Sequence, residues 1–256
     1  MKKKIDVTVI IPFYKKLRFF HRTYESLLSQ TYKNFKVIII YDDNDKNDLF
    51  ELNKIIKDKR FKILINKKNI GVGQSRNNGI KNVKTKYVAF LDSDDYWDKN
   101  KLKIQLSFMK KFNISFTHTS YYIVNEKGLK LDSIIINKIL KYRDLLKSCD
   151  IGLSSVIIEA KLFNENKFPD IKTKEDYVLW LRLAKKKINI LGLNQKLTFW
   201  RKTRNSLSSN ILRKLKDAFS VYYRFQKFGI IISFIFTLRL SINYLIKHKL
   251  KLNFRL

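Results

Sequence analysis

Cysteine occurs once in these 256 residues, at Cys149. A single thiol can build neither an intramolecular disulfide framework nor a cysteine-ligated zinc site. Proline occurs twice and glycine seven times, which excludes a collagenous or low-complexity chain and makes each glycine worth inspecting. Histidine is limited to His21, His118 and His248. They are scattered, suggest no Ser-His-Asp or Cys-His arrangement, and read as structural or surface residues. No internal repeat or linker is visible. At the N-terminus Lys2, Lys3 and Lys4 lead into Ile5-Asp6-Val7-Thr8, and the next apolar run stops at Pro12. That is not the pattern of a signal peptide, so a reducing, cytoplasmic location is expected.

Acidic residues are also scarce. There are 22 against 54 Lys and Arg, a formal net charge of +32. Such a chain needs an anionic partner or surface: nucleic acid, an anionic membrane leaflet or a phosphorylated ligand. The bias is strongest at the C-terminus, where residues 201–256 hold 13 Lys and Arg and the single acid Asp217.

Against that background, three carboxylates packed into four positions stand out. The apolar run Tyr87-Val88-Ala89-Phe90-Leu91 reads as a buried strand and ends in Asp92-Ser93-Asp94-Asp95. In open α/β sheets, ligands bind at the C-terminal edge of the strands. Like charges this close call for a cation, and a hard divalent metal suits oxygen ligands. A solvated turn with helix-capping Asp residues is the alternative at this point.

Elsewhere, Val7–Pro12, Phe35–Tyr41 and Phe61–Ile65 read as strands. Residues 17–30 and a segment capped by Asp48 read as helices. Gly71 opens a further helix, with Gly79 relieving its packing. This alternation over residues 5–112 predicts a mainly parallel sheet with right-handed crossovers. Two strands then end in acidic pairs, Asp42-Asp43 and Asp94-Asp95, on one edge. Beyond residue 112 the spacing predicts a strand to Val124, a hairpin turn at Asn125–Gly128, and a short strand at 153–158. A helix follows Thr173-x-x-Asp176, a spacing that resembles a capping box, and two final strands cover 188–191 and 196–200. Trp97, Trp180 and Trp200 lie in or just after apolar runs and suit core packing, with stacking on a sugar as the other use.

Residues 210–248 read as helical. Phe228–Ile246 contains one charge, Arg239. A central arginine costs about 2.5–3.5 kcal/mol on insertion scales. With basic residues at both flanks (Arg224, Lys227, Lys247, Lys249), a helix lying at a membrane interface or packed on the domain is expected rather than a span.

Asp43 with the Asp92/Asp94/Asp95 cluster and Arg76 is the arrangement expected for a nucleotide diphosphate with Mg²⁺ or Mn²⁺. Gly71-x-Gly73 is a weak dinucleotide signal, since Arg76 holds the third glycine position and the motif follows the third strand. Asp176 is either a helix cap or a general base; spacing does not choose.

Taken in order, these pieces resemble glycosyltransferase family 2. Val9–Tyr14 resembles its opening strand and Ser26–Tyr32 the end of its first helix. Tyr41–Asp45 resembles its uracil-site acidic turn, with Asp45 where the family often has Ser or Gly. Asn69–Gly71 with Ser75–Gly79 resembles its next nucleotide segment, Phe90–Asp95 its DxD region, and Glu175–Leu183 its catalytic ED segment. Residues 198–209 are similar to its closing segment. The resemblance implies the α/β GT-A (Rossmann-like nucleotide-diphospho-sugar transferase) fold, with a mixed, mainly parallel sheet over residues 1–209 and a helical appendage over 210–256.

It also implies roles. Pro12–Tyr14 and Asp43 would hold uracil, Arg76 the nucleotide, Asp92 the ribose or donor, and Asp94 the metal. Asp95 would be an adjacent donor-site acid and Asp176 the base. The implied activity is metal-dependent, inverting transfer from a UDP-sugar to a glycan or lipid-linked acceptor in surface polysaccharide or lipopolysaccharide synthesis. The protein would then sit peripherally on the anionic inner face of the cytoplasmic membrane. The rivals are a metal-dependent nucleotidyltransferase and a basic nucleic-acid-binding protein. The first lacks a glycine-rich loop after the opening strand, since Phe13–Arg18 has no glycine. The second lacks a binding motif, so no nucleic acid partner is expected.

Overall fold

In the computed structural model of the chain, residues 5–136, 139–203 and 211–253 are described, with side chains to residue 246. Ser206–Ser208, the 209/210 boundary and the side chains of Lys247, His248 and Lys249 lie outside them.

The sheet forms where the sequence is richest in branched and aromatic residues. β1 (Val7–Phe13) is buried throughout, and β2 (Phe35–Tyr41) nearly so. Both faces of these strands are covered, so they read as continuous apolar runs. Successive side chains still divide between two cores, as the pleat requires. Val9, Ile11, Val37, Ile39 and Ala89 join one cluster, while Ile10, Ile38, Ile40, Val88 and Phe90 join the other. The first cluster is capped by α1 (Leu17–Leu28), α2 (Lys46–Ile55) and α4 (Lys101–Phe112). The second takes α6 (Glu175–Lys185) and, at Ile80, α3 (Val72–Ile80). Gly79 lets α3 lie close to the sheet: a Cβ there would sit 2.7 Å from Ile40 Cδ1.

The strand order is β3-β2-β1-β4-β9-β6-β10-β5. β3 (Phe61–Ile65), β2, β1 and β4 (Tyr87–Phe90) are parallel. β9 (Ile157–Glu159) runs antiparallel between β4 and β6 (Phe116–Val124). β10 (Ile190–Arg201) is parallel to β6, and β5 (Tyr96–Trp97) is antiparallel to β10. β7 (Lys130–Ile134) closes the expected hairpin on β6, through a turn in which Gly128 has φ of +89°. β8 (Ile139–Leu140) pairs with β10 and leads into the short α5 (Tyr142–Leu145).

Several local expectations are corrected. Asp45, not Asp48, caps α2, its carboxylate accepting from the N–H groups of Asn47 and Asp48. The residue that departs from the family pattern thus has a local task. The segment 153–158 divides into a 3-10 turn, Leu153–Ser155, and the shorter β9. The two final strands are one irregular strand, with register shifts between Leu193 and Thr198. The capping box at Thr173-x-x-Asp176 does not form. Lys174, with φ of +66°, is the cap residue, and Thr173 instead donates through N and Oγ1 to Asp217 Oδ2. The tail is two helices, α7 (Ile211–Ser220) and α8 (Ile230–Asn253), joined through a π-helical turn at Val221–Phe225. Among the described residues, no helix is long and apolar enough to cross a membrane.

Candidate active site

Because β1, β2 and β4 are parallel and in register, their C-terminal ends open on one edge. Both acidic segments lie there, as expected. Within each pair, however, the structure divides the labour.

Asp42 is buried and braces the loop. Its Oδ1 accepts from Asn66 Nδ2 and the Ile70 amide, both at 2.8 Å, and its Oδ2 from the Gly71 amide at 2.9 Å. This holds the entrance of α3, where Gly71 takes φ of +84°, a conformation open to glycine at little cost. Asp43 faces the other way. Its Oδ1 accepts from the Asn44 amide at 2.8 Å, while its Oδ2 is shielded from solvent and has no hydrogen-bond partner. A buried carboxylate oxygen without a donor is costly, and a ligand N–H would satisfy it. Pro12 lies buried in β1, and Tyr14 is half-exposed just past the strand, ahead of Lys15 at φ of +50°.

Arg76 is the hub. It is buried on α3, with Nη1 donating to Glu175 Oε1 at 2.5 Å and Nη2 to Asp92 Oδ1 at 2.7 Å. Burial works against its charge, but Asp92 and Glu175 more than offset this and hold its pKa above the usual value. Glu175 sits at the start of α6. Burial pushes its carboxyl up to about 7, against the opposing pull of Arg76. One guanidinium therefore ties the end of β4 to the helix that carries Asp176. Asp176, the next residue, accepts from the Tyr177 amide at 2.7 Å. Burial raises its pKa too, with Arg76 opposing. A raised pKa makes a carboxylate a better proton acceptor.

Asp94 and Asp95 separate sharply. Asp94 Oδ2 lies 2.8 Å from Lys16 Nζ, and its pKa is raised by burial against that cation. The carboxylate of Asp95 is spent inside the protein: Oδ1 accepts from the Arg201 amide at 2.7 Å and Oδ2 from Ser154 Oγ at 2.6 Å. Burial, with Asp94 and Asp92 nearby, pushes Asp95 well above the usual carboxylate range. The acid expected beside the donor thus pins β10 and the Ser154 turn to the Asp92–Asp95 segment. Arg201 Nε completes the clasp on the Asp94 carbonyl at 2.7 Å.

Among the described residues, no group of three or more His, Cys, Asp or Glu is arranged to hold a metal. The side chains of Asp92 and Asp94 keep 33% and 16% exposure at the edge. Magnesium-like ions commonly use one or two carboxylates together with substrate phosphates. The residues therefore fit an ion shared with a diphosphate, not an all-protein cage.

Lys16, Ser154, Glu175 and Arg201 carry the site beside the expected residues. Glu175 left a signal as the acid paired with Asp176, and Arg201 as part of the segment 198–209 that resembles the family's closing one. The others reach the cluster from distant parts of the chain. Of the tryptophans, Trp97 is core-bound through Nε1 to the Ser154 carbonyl at 2.7 Å, and Trp180 packs buried against Phe116. His118 is buried, and its pKa falls to about 4 because burial disfavours the charge. That fits a structural histidine.

The model for "Glycosyl transferase family 2" matches residues 8–171. A UDP-Glc:alpha-D-GlcNAc-diphosphoundecaprenol beta-1,3-glucosyltransferase of Escherichia coli, WfgD, is 34% identical over 216 residues, covering 84% of each chain. The putative teichuronic acid biosynthesis glycosyltransferase TuaG of Bacillus subtilis is 34% identical over 225 residues, 86% of this chain and 88% of that one. An uncharacterized glycosyltransferase of Rickettsia felis is 42% identical over 75% of this chain, which spans about a third of that relative's length, 32%. Among solved structures, S. aureus TarS in complex with UDP-GlcNAc superposes with a TM-score of 0.72 at 20% identity, over 89% of this chain and 69% of that one. The mannosyltransferase PcManGT of Pyrobaculum calidifontis, in complex with GDP-Man and Mn²⁺, gives 0.67 at 11% identity, over 92% and 70%. The fold is the GT-A fold. With the matched segment running from β1 past the acidic edge, and relatives alike over most of both chains, this protein belongs to glycosyl transferase family 2.

Proposed function

We propose that the chain is an inverting glycosyltransferase. It moves one sugar from a nucleotide-diphospho-sugar, UDP-linked, onto a hydroxyl of a glycan or lipid-linked acceptor in surface polysaccharide or lipopolysaccharide assembly. The observation that carries this reading is the Arg76 hub, which sets the donor-side acid Asp92 and the neighbourhood of Asp176 on either side of one buried cation.

The donor half follows from the sheet edge. The unpartnered Asp43 Oδ2 suits the imide N–H of uracil, flanked by the Pro12–Tyr14 backbone. Asp92 faces the ribose or the sugar, and Arg76 fixes it for that contact. Asp94, with Asp92, would hold Mg²⁺ or Mn²⁺, which when bound acts as a Lewis acid toward the departing diphosphate. Asp95 keeps the segment in place from behind.

In the acceptor half, Asp176 accepts the proton of the attacking hydroxyl. The new bond to the anomeric carbon forms on the face opposite the breaking bond to the diphosphate, so the configuration inverts and UDP leaves. The GT-A unit ends near residue 209, and the tail from 210 serves as an appendage. The names of WfgD and TuaG, which specify a diphosphoundecaprenol-linked acceptor and teichuronic acid synthesis, support a lipid-linked or glycan acceptor. We read the location as peripheral, on the cytoplasmic face of an anionic membrane.

The test is a panel of nucleotide sugars with Mn²⁺ and a lipid-diphosphate-linked sugar. Release of free UDP with glycosylated product is expected; release of pyrophosphate would instead indicate nucleotidyl transfer. Asp176→Asn should lower turnover by roughly 10²–10⁴-fold with UDP affinity unchanged. Unaltered turnover would remove Asp176 as the base.

A further inference from the structure

α8 is inside out. Its inward face carries Ser233 and Thr237, both buried, and the half-buried Ser241. Their hydroxyls bond back along the helix, Thr237 Oγ1 to the Ser233 carbonyl at 2.7 Å and Ser241 Oγ to the Thr237 carbonyl at 2.9 Å. Phe236 and Leu240 supply the apolar grip of that face, Phe236 stacking on Tyr222 and packing at a tilt against Phe228. The outward face is the apolar one. Ile231, Ile235, Leu238, Ile242 and Leu245 recur at spacings of four and three and are 44–76% exposed, so they form one stripe along the helix. Phe234 and Ile246 flank it, also exposed. A solvent-facing helix ordinarily shows the reverse polarity, and a contiguous apolar surface of this size marks an interaction site.

The charge around the stripe identifies the partner. Residues 211–246 hold six Lys and Arg and one acid, Asp217, and that acid is engaged with Thr173. Lys216, Arg224, Lys227 and Arg239 are all exposed. α7 lies alongside, with Lys214 Nζ 6.0 Å from the Tyr244 ring, and adds exposed Ile211, Leu212 and Leu215. Apolar side chains interleaved with cations and aromatic residues are the chemistry of a helix lying in the plane of an anionic lipid surface. A second copy of this chain fits poorly, because it would bring the same cations face to face in a molecule already at +32.

The tail is also clamped to the acceptor side of the candidate site. Asp217 of α7 binds Thr173, three residues before Asp176, and the Tyr222 hydroxyl lies 2.9 Å from that of Tyr177. Asn243 of α8 donates to the Lys147 carbonyl at 2.8 Å. We infer that the outward face of α8, with the cations around it and on α7, lies on an anionic lipid bilayer. In that position it presents the start of α6, with Asp176, to the lipid–water interface. The docking stands on the tail alone; only its link to the acceptor rests on the reaction proposed above.

The experiment is flotation of the full chain with vesicles of phosphatidylglycerol mixed with phosphatidylcholine, against pure phosphatidylcholine, without donor. The protein should float with the anionic vesicles. Neutralising Arg224 and Lys227 to Gln should weaken that binding about fivefold per cation, as about 1 kcal/mol per basic residue implies. Ile235→Glu with Leu238→Glu and Ile242→Glu, all on the exposed stripe, should abolish flotation while the melting temperature and UDP affinity stay at wild-type values. Flotation unaffected by the triple variant would overturn the proposal. So would a wild type that ignores anionic vesicles at low salt, or a self-associated species in sedimentation that the triple variant dissolves. UDP affinity and sugar transfer are read separately, so failure of docking and failure of the proposed reaction are distinguishable.

Discussion

Glu175→Gln isolates one strongly perturbed contact of the site. Glutamine keeps the shape of the side chain and can still accept from Arg76 Nη1, but it cannot ionise. In the folded protein burial moves the Glu175 carboxyl from 4.5 to about 7, even with Arg76 opposing. Folded protein thus retains a proton over a range where unfolded chain has released it. The stability this contributes is fully present below about pH 4.5 and is lost as pH rises through about 7. The difference of about 2.5 pKa values corresponds to about 3 kcal/mol. Glu175 is 7% exposed, so solvent screening removes little of it. Urea denaturation of both proteins from pH 4.5 to 8 reads the effect directly. The stability of the variant relative to wild type should improve by ~3 kcal/mol across that window, or roughly 6–12 °C in melting temperature for a domain of this size. Parallel stability curves would refute the reasoning, because they would mean that Glu175 is ionised throughout and the Arg76 pair outweighs its burial.

Three further outcomes follow from the same geometry. Asp43→Ala should weaken UDP binding about tenfold to a hundredfold by calorimetry, the loss of one hydrogen bond to a charged acceptor, with folding little changed. Asp95→Ala should cost about 2–4 kcal/mol in chemical denaturation, since it leaves the Arg201 amide and Ser154 Oγ without their acceptor; an unchanged midpoint would contradict the fastening role. Lys16→Met frees Asp94 Oδ2 from its ammonium partner. Mn²⁺ titrated in the presence of UDP should then bind about fivefold more tightly, the worth of a modest ion pair, and a weaker titration would show Lys16 acting with the ligand rather than in the ion's place.

Much of this was legible in the sequence because it is local or periodic. Apolar runs of four to seven residues alternating with helical spacing determined the parallel half of the sheet. Asp92–Asp95 and Asp42-Asp43 could be placed at strand ends because the strands stop where the acids begin. Gly71 was legible as a helix start and Gly79 as a relief of packing; the positive φ of the first and the close approach of the second to Ile40 came from the fold. The cost of inserting Arg239 at the centre of an otherwise apolar run, with basic residues at both flanks, argued against a span for the tail.

What only the tertiary structure decided is which acid does what. Asp92, Asp94 and Asp95 are equivalent in sequence, yet one meets Arg76, one meets Lys16, and one is consumed by Ser154 and Arg201. Those partners lie from 16 to 106 residues away along the chain. Carboxylates acquire their roles from burial and from the cations brought to them, and both are properties of the packed fold. The same holds for Glu175, whose titration is raised by burial against the opposing pull of Arg76 from α3, and for α8. There the sequence left open a helix at a membrane interface or one packed on the domain, and only the packing showed that the hydroxyls face the protein and the isoleucines face out.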